Sequence, residues 1–251
     1  MTKPDIRIDD SNTITSYKSA THLVMLPCHA IYKGSGNGKS FKHWYMEEFQ
    51  KEGNDNIAWM KQIETCLDIL TNNKDAIVII SGGKTKKVGN ISESFSYLNL
   101  IMQNKSYYEE KYLDLEGLID RIYLEEYARD SLDNMLYSLY RFKEICGRFP
   151  DQTTIVGYEF KRDRFVEYHA KAVGYNDPSK VKYVGIDPCP DYPRESPEFK
   201  KFYSDLQVAE WEHAVKHFQI DPLANDPDGV LVAKKRKRNP YNTRAPYHII
   251  M

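Results

Sequence analysis

The segment Ala76-Ile-Val-Ile-Ile-Ser-Gly-Gly-Lys-Thr85 restricts the fold more than any other part of the chain. Five apolar residues, mostly β-branched, run into Ser81-Gly82-Gly83. A short apolar run closed by glycines predicts a buried strand. Glycines at a strand's C-terminal end let the backbone approach a ligand. The helix expected to start near Ser92 brings N–H groups and a positive dipole end that suit an anion.

The same unit recurs along the chain. Predicted strands lie at 22–26, 121–124, 153–157 and 181–186, each followed by a polar loop. Helical spacing marks 92–103, with Phe95, Leu98, Ile101 and Met102 on one side. It also marks 131–146, with Leu132, Met135, Leu136, Leu139, Phe142 and Ile145, capped by Asp130 or Ser131 and stopped by Gly147 and Pro150. Residues 41–70 read as two helices broken near Gly53-Asn54. Residues 165–173 and 199–218 read as further helices, and 104–118 carry no clear period. Strands alternating with helices predict a Rossmann-like α/β fold: a parallel sheet of about five strands with helices on both faces. The expected organisation is a flexible arm at 1–20, one α/β domain at 21–221 and a basic tail at 222–251. Such sheets bind ligands beyond the strands' carboxyl ends, where strand order reverses. The loops due there are 27–33, 81–85, 125–131, 157–162 and 187–188.

Totals matter only for what they exclude. Lys+Arg number 35 against Asp+Glu 36, so the charge balance argues against a dedicated nucleic-acid coat. The four cysteines form no C-x-x-C pair, which indicates neither a zinc ribbon nor a disulfide framework and fits a reducing compartment. No 18-residue apolar run exists, so no membrane partner is expected. The expectation is a soluble cytoplasmic protein, with nuclear access through Lys234-Lys-Arg-Lys-Arg238 as an added reading. The sequence leaves its oligomeric state open.

These loops carry a family resemblance. Pro27-Cys-His-Ala-Ile31, Ser81-Gly-Gly-Lys-Thr85 with Ser92-Glu-Ser94, Glu125-Glu-Tyr-Ala-Arg-Asp-Ser131 with Asn134, Gly157-Tyr-Glu-Phe-Lys-Arg162, His169 and Gly185-Ile-Asp-Pro188 stand in order over residues 22–190. Together they resemble the SanA/YdcF/ElyC-type domain family, and most closely its fungal cytosolic branch. The resemblance implies a Rossmann-like fold and, from bacterial relatives, S-adenosylmethionine binding. It implies no agreed reaction. The bacterial membrane anchor has no counterpart here, so an envelope role does not carry over.

Each candidate has a structural reading beside its functional one. Ser81, Gly82, Gly83, Lys84 and Thr85 with Ser92 and Glu93 form a phosphate or carboxylate cradle, or else a tight strand-to-helix turn. Glu125, Glu126, Arg129, Asp130, Ser131 and Asn134 supply a general base and a bidentate anion holder, or else caps and surface ion pairs. His29, past the first strand, titrates near neutral pH and is the third proton-moving candidate beside Glu126 and Asp130. Adjacent Cys28 points elsewhere on an extended chain and makes a weak nucleophile. Lys161, Arg162 and Arg164 form a basic wall for a phosphorylated ligand, with Arg162 preferred and Glu159 a further binding candidate beside them, or else they are solvated charge at a helix start. His169 reads as structural, and Asp187 as a hydroxyl acceptor or a turn residue. Gly34-Ser-Gly-Asn-Gly-Lys-Ser40 imitates a P-loop, but Lys33 stands where its first glycine belongs, and Val78 does the same for Gly83-Lys84-Thr85. No His or carboxylate spacing marks a dedicated transition-metal site, while a Mg²⁺ shared with substrate phosphates has Glu126 or Asp130 as ligands.

Two functions follow as expectations. One is an enzyme that holds a small phosphorylated or nucleotide-type molecule for hydrolysis or group transfer. The other is a non-catalytic nucleotide or S-adenosylmethionine binder using the same cleft. A nucleic-acid adaptor rests only on the basic tail and comes third.

Overall fold

Five of the apolar runs become parallel strands of one sheet. They are β1 (His22–Pro27), β4 (Ala76–Ser81), β5 (Ile122–Glu125), β6 (Gln152–Gly157) and β7 (Val181–Gly185). Ile31–Tyr32 (β2) and Trp44–Tyr45 (β3) pair separately as a two-residue hairpin. The computed structural model describes residues 18–249. Most of the arm expected at 1–20, and the last two residues of the tail, lie outside that range.

The sheet order is β5-β4-β1-β6-β7, every pair parallel. β1 is central because both of its faces are apolar and all six residues are buried. Alternate residues face opposite layers. Val24, Leu26, Val78 and Ile80 pack under α1 (Asp55–Asn72) and α2 (Glu93–Gln103). Leu23, Met25, Ile77 and Ile79 pack under α3 (Ser131–Cys146) and the segment containing Phe165. The chain builds outward from β1 to β4 and β5, then returns to build β6 and β7 on the other side. The ends of β1 and β6 therefore flank the point where strand order reverses, which is where such sheets leave a crevice.

The two-helix reading of 41–70 holds for Glu48–Glu52 and Asp55–Asn72, broken at Asn54, which is left-handed at φ 51°, and fails only before Glu48. Residues 41–45 form a 3₁₀ turn and β3, because Trp44 is drawn into a ring cluster with Trp59 and Tyr97. Residues 104–118 resolve into two short helices, Lys105–Glu109 and Leu115–Ile119. The helix expected at 165–173 is π-helical over Arg164–His169. The last long helix, α4 (Pro197–Glu210), runs through a second π turn, Trp211–Val215, to Ile220.

Residues 222–249, expected as a basic tail, pack in part against the domain. They contain α5 (Val230–Lys237), whose Leu231 is buried with Leu132, Ala214 and Phe218. Beyond it, Ala245, Tyr247 and Ile249 lie against Ala128, Leu136 and Tyr137. Among the described residues, no helix is long and apolar enough to cross a membrane.

Candidate functional site

The strand-end loops meet at one rim. In register, Ser81 stands opposite Glu125, and its hydroxyl donates to Glu125 Oε2 at 2.6 Å. Asn134 Nδ2 donates to both the Ser81 carbonyl (3.0 Å) and Oγ (2.9 Å). Gly82 N–H donates to Glu125 O, and Gly83 N–H to Ala128 O. The glycine carbonyls accept from Ser94 N and Glu93 N, while Ser92 Oγ accepts from Phe95 N. Of the N–H groups expected to form the cradle, those of Gly82, Gly83, Glu93, Ser94 and Phe95 already have acceptors within the fold. Gly82 and Gly83 are required for space. A Cβ on Gly82 would stand 2.7 Å from Cys28 Cβ, and one on Gly83 would stand 2.6 Å from Ala128 O. Thr85 is likewise used, donating to Glu93, while Lys84 stands partly exposed beside the bend.

Most polar groups of the 125–134 segment have partners within the fold. Glu125 is fully buried and accepts from Ser81 Oγ, Tyr127 N and Ala128 N. Burial still dominates, lifting its pKa to about 8. Glu126 accepts from Ser92 Oγ at 2.8 Å. Asp130 is the cap of α3, accepting from Asp133 N at 2.8 Å, and its other oxygen lies 3.4 Å from Lys235 Nζ. Burial and the Asp133 charge raise the Asp130 pKa. Arg129 is committed to Asp133 (Nε to Oδ2, 2.9 Å) and to the Tyr137 hydroxyl, so it is not the free anion fork that the sequence suggested. Arg162, the preferred cation of the next loop, is likewise locked on Glu159 by two bonds of 2.6 and 2.7 Å and donates to Tyr183 O. Asp187 accepts from Phe160 N, a turn role.

The groups left to act lie across the β1–β6 gap. His29, after β1, stacks on Tyr158, after β6, with centroids 4.6 Å apart and planes at 19°. Tyr158 is fixed from below: its hydroxyl donates to Asp55 Oδ2 and accepts from Trp59 Nε1, both at 2.5 Å. Lys161 Nζ rests 4.7 Å from the Tyr158 centroid and 5.4 Å from that of Phe160. No carboxylate lies within ion-pair distance of it among the described residues. Desolvation, then the neighbouring Arg164 guanidinium, brings Lys161 down to about 7, with Arg238 adding to the effect and Glu210 and Asp55 opposing it. Burial, followed by the charges of Lys161, Arg164 and Arg238, holds His29 neutral, well below the usual histidine range, and its Nε2 is buried without a partner among the described residues. Burial raises Asp55 to about 6 despite the Tyr158 hydroxyl, and raises Glu93 as well.

Sequence reasoning missed Asp55, Trp59 and Arg238, because each comes from a segment outside the strand-end loops. The charge run of 234–238 was visible, but not its placement. Arg238 donates to Arg129 O, and Lys235 reaches Asp133 at 2.8 Å. The glycine loop 34–38 is pinned, its Gly38 carbonyl accepting from Trp44 Nε1 and Asn56 Nδ2. No group of three or more His, Cys, Asp or Glu among the described residues is placed to hold a metal ion. The depression of about 310 Å³ lined by Glu109, Tyr112 and neighbours through Glu116 comes from the short helices of 105–119, not from the strand-end loops.

Strand order and rim together define a Rossmann-like α/β protein. In sequence the chain is 35% identical over 263 residues to the Saccharomyces cerevisiae "Uncharacterized protein YOR238W", with 90% of this chain and 86% of the yeast protein covered. The chain belongs to the family of that yeast protein. No family model matches it, and no solved structure does.

Proposed function

We propose that the crevice between the ends of β1 and β6 binds a small phosphorylated or nucleotide-type molecule, and that hydrolysis or group transfer is its chemistry. Lys161 carries the reading. It is an ammonium without a carboxylate partner, laid on two aromatic rings and crowded by Arg164 and Arg238. Cations forced together at the switch point of an α/β sheet are stabilised by an anion between them. His29, neutral and facing the same cations, is a proton-moving group that remains once Glu126 and Asp130 are engaged.

The second reading is a non-catalytic nucleotide or S-adenosylmethionine binder. It is favoured by the structural bonds that tie up Glu126 and Asp130. On either reading the family is a cytoplasmic branch of the SanA/YdcF/ElyC type. Nuclear access through 234–238 is a lesser proposal, since Lys235 is buried; a fluorescent fusion that stays out of the nucleus removes it.

A thermal-shift series with inorganic phosphate, nucleotides, sugar phosphates and S-adenosylmethionine tests the crevice. A ligand at a hundred times its Kd stabilises by about 2.7 kcal/mol, and Lys161→Met should abolish the response to phosphate-bearing compounds. A protein indifferent to all of them, or a K161M variant that answers equally, overturns the proposal. Mass spectrometry of the incubated mixture separates turnover from binding alone.

A further inference from the structure

Ser131 Oγ lies 2.7 Å from Nε2 of His169, a side chain with no solvent exposure. Arg164 Nη1 points to the same hydroxyl at 3.3 Å while its other nitrogens grip Glu210 at 2.7 and 2.8 Å. Arg164 and His169 are the first and last residues of the π-helical stretch. In an α-helix, positions five apart point about 140° away from each other. The wider π turn is what brings both onto one hydroxyl, and such turns concentrate at functional sites.

With the imidazole proton on Nδ1, Ser131 Oγ donates to His169 Nε2 while accepting from Arg164 Nη1. This is the tautomer of a general base. Nδ1 is buried without a partner among the described residues, where Phe165 and Phe218 meet the ring edge-on. Burial, then Arg164 and Lys235, keeps the ring neutral. Ser131 is the first residue of α3 and is partly exposed. Asp130 takes the Asp133 N–H, which leaves those of Ser131 and Leu132 for oxygens on an attacked centre.

We propose that Ser131 is a nucleophile and His169 its base, acting on a phosphomonoester. The proposal rests on the anion-crevice reading above, to which Arg164 joins it. The Ser131 Oγ–P bond forms as the ester P–O bond breaks. The hydroxyl proton passes to His169 Nε2 and on to the departing alkoxide. Water then attacks the phosphoserine with His169 as base, releasing inorganic phosphate and restoring the hydroxyl.

The test treats the full chain with a small fluorophosphonate and maps the adduct by peptide mass spectrometry. The expected result is one adduct, on Ser131, absent from Ser131→Ala, slowed by inorganic phosphate, and formed about a hundredfold more slowly in His169→Asn. Wild-type protein that forms no adduct, or forms one on Ser131 that phosphate does not slow, overturns the proposal. These outcomes are read on wild-type protein, so they decide it even if the core variant H169N fails to fold. A wild type that responds to phosphate in the thermal-shift series yet resists the probe loses the dyad and keeps the crevice. One that fails both loses both.

Discussion

Lys235 Nζ lies 2.8 Å from Asp133 Oδ1, with Asp130 Oδ2 3.4 Å away, so a buried ammonium from α5 joins Arg129, which holds Asp133 Oδ2, in balancing two carboxylates at the start of α3. Removing one partner of a buried pair strands the other, at a cost of about 3 kcal/mol or more. Lys235→Met should therefore lower stability by that amount in a urea melt. It should also expose the 234–238 run to trypsin in limited proteolysis. A wild-type digestion pattern would mean that the Lys235 ion pairs do not hold α5 in place.

Gly83→Ala tests the bend. Its new Cβ meets the Ala128 carbonyl at 2.6 Å, and that carbonyl is fixed by the Gly83 N–H it accepts. Backbone cannot yield as a side-chain tip can, so overpacking here should cost about 2 kcal/mol. The measurement is the urea midpoint at unchanged slope. An unchanged midpoint would mean that the 81–85 and 125–128 loops are not locked together.

The fold was legible where local pattern and global position agree. The Ala76-to-Thr85 run, the caps of α2 and α3 and the Gly147 stop all fell within a residue or two of their observed places. A sheet buried on both faces leaves long apolar runs that little else explains. The site was less legible, because a charged side chain's role depends on what stands opposite it. Arg129 and Arg162 looked free until Asp133 and Glu159 were seen to hold them. Ser131 and His169 are 38 residues apart and meet only through the π turn. Asp55 was missed because nothing local marks the Tyr158 hydroxyl from which it accepts.

Glu125 makes a pH prediction. Burial raises it from 4.5 to about 8, so the folded chain holds its proton more tightly than the unfolded one. That stabilisation is complete below about 4.5 and is lost as pH rises through about 8. Glu125→Gln mimics the protonated acid: its amide can face Ser81 Oγ while the carbonyl keeps Tyr127 N and Ala128 N. Stability of E125Q relative to wild type should climb with pH across that interval, read by thermal melts at constant ionic strength. A flat difference would place the charge on Glu125 throughout. Glu125→Ala, which orphans three donors, should cost about 3 kcal/mol.

Lys161 titrates in the opposite sense. Its pKa falls from 10.5 to about 7, so between those values the unfolded chain binds the extra proton, and the ligand-free fold gains stability as pH rises. An anion in the crevice favours the ammonium and reverses the shift. Sulfate, ionised throughout this range, should then bind with uptake of a proton when the pH lies above 7, and with little uptake below it, where Lys161 is already charged. Calorimetry in buffers of different ionisation enthalpy measures that proton directly. Lys161→Met should bind sulfate weakly and without uptake. Sulfate binding with no proton uptake above pH 7 would show that Lys161 is charged before the anion arrives, and the crowding of Arg164 and Arg238 around it would no longer argue for an anion site.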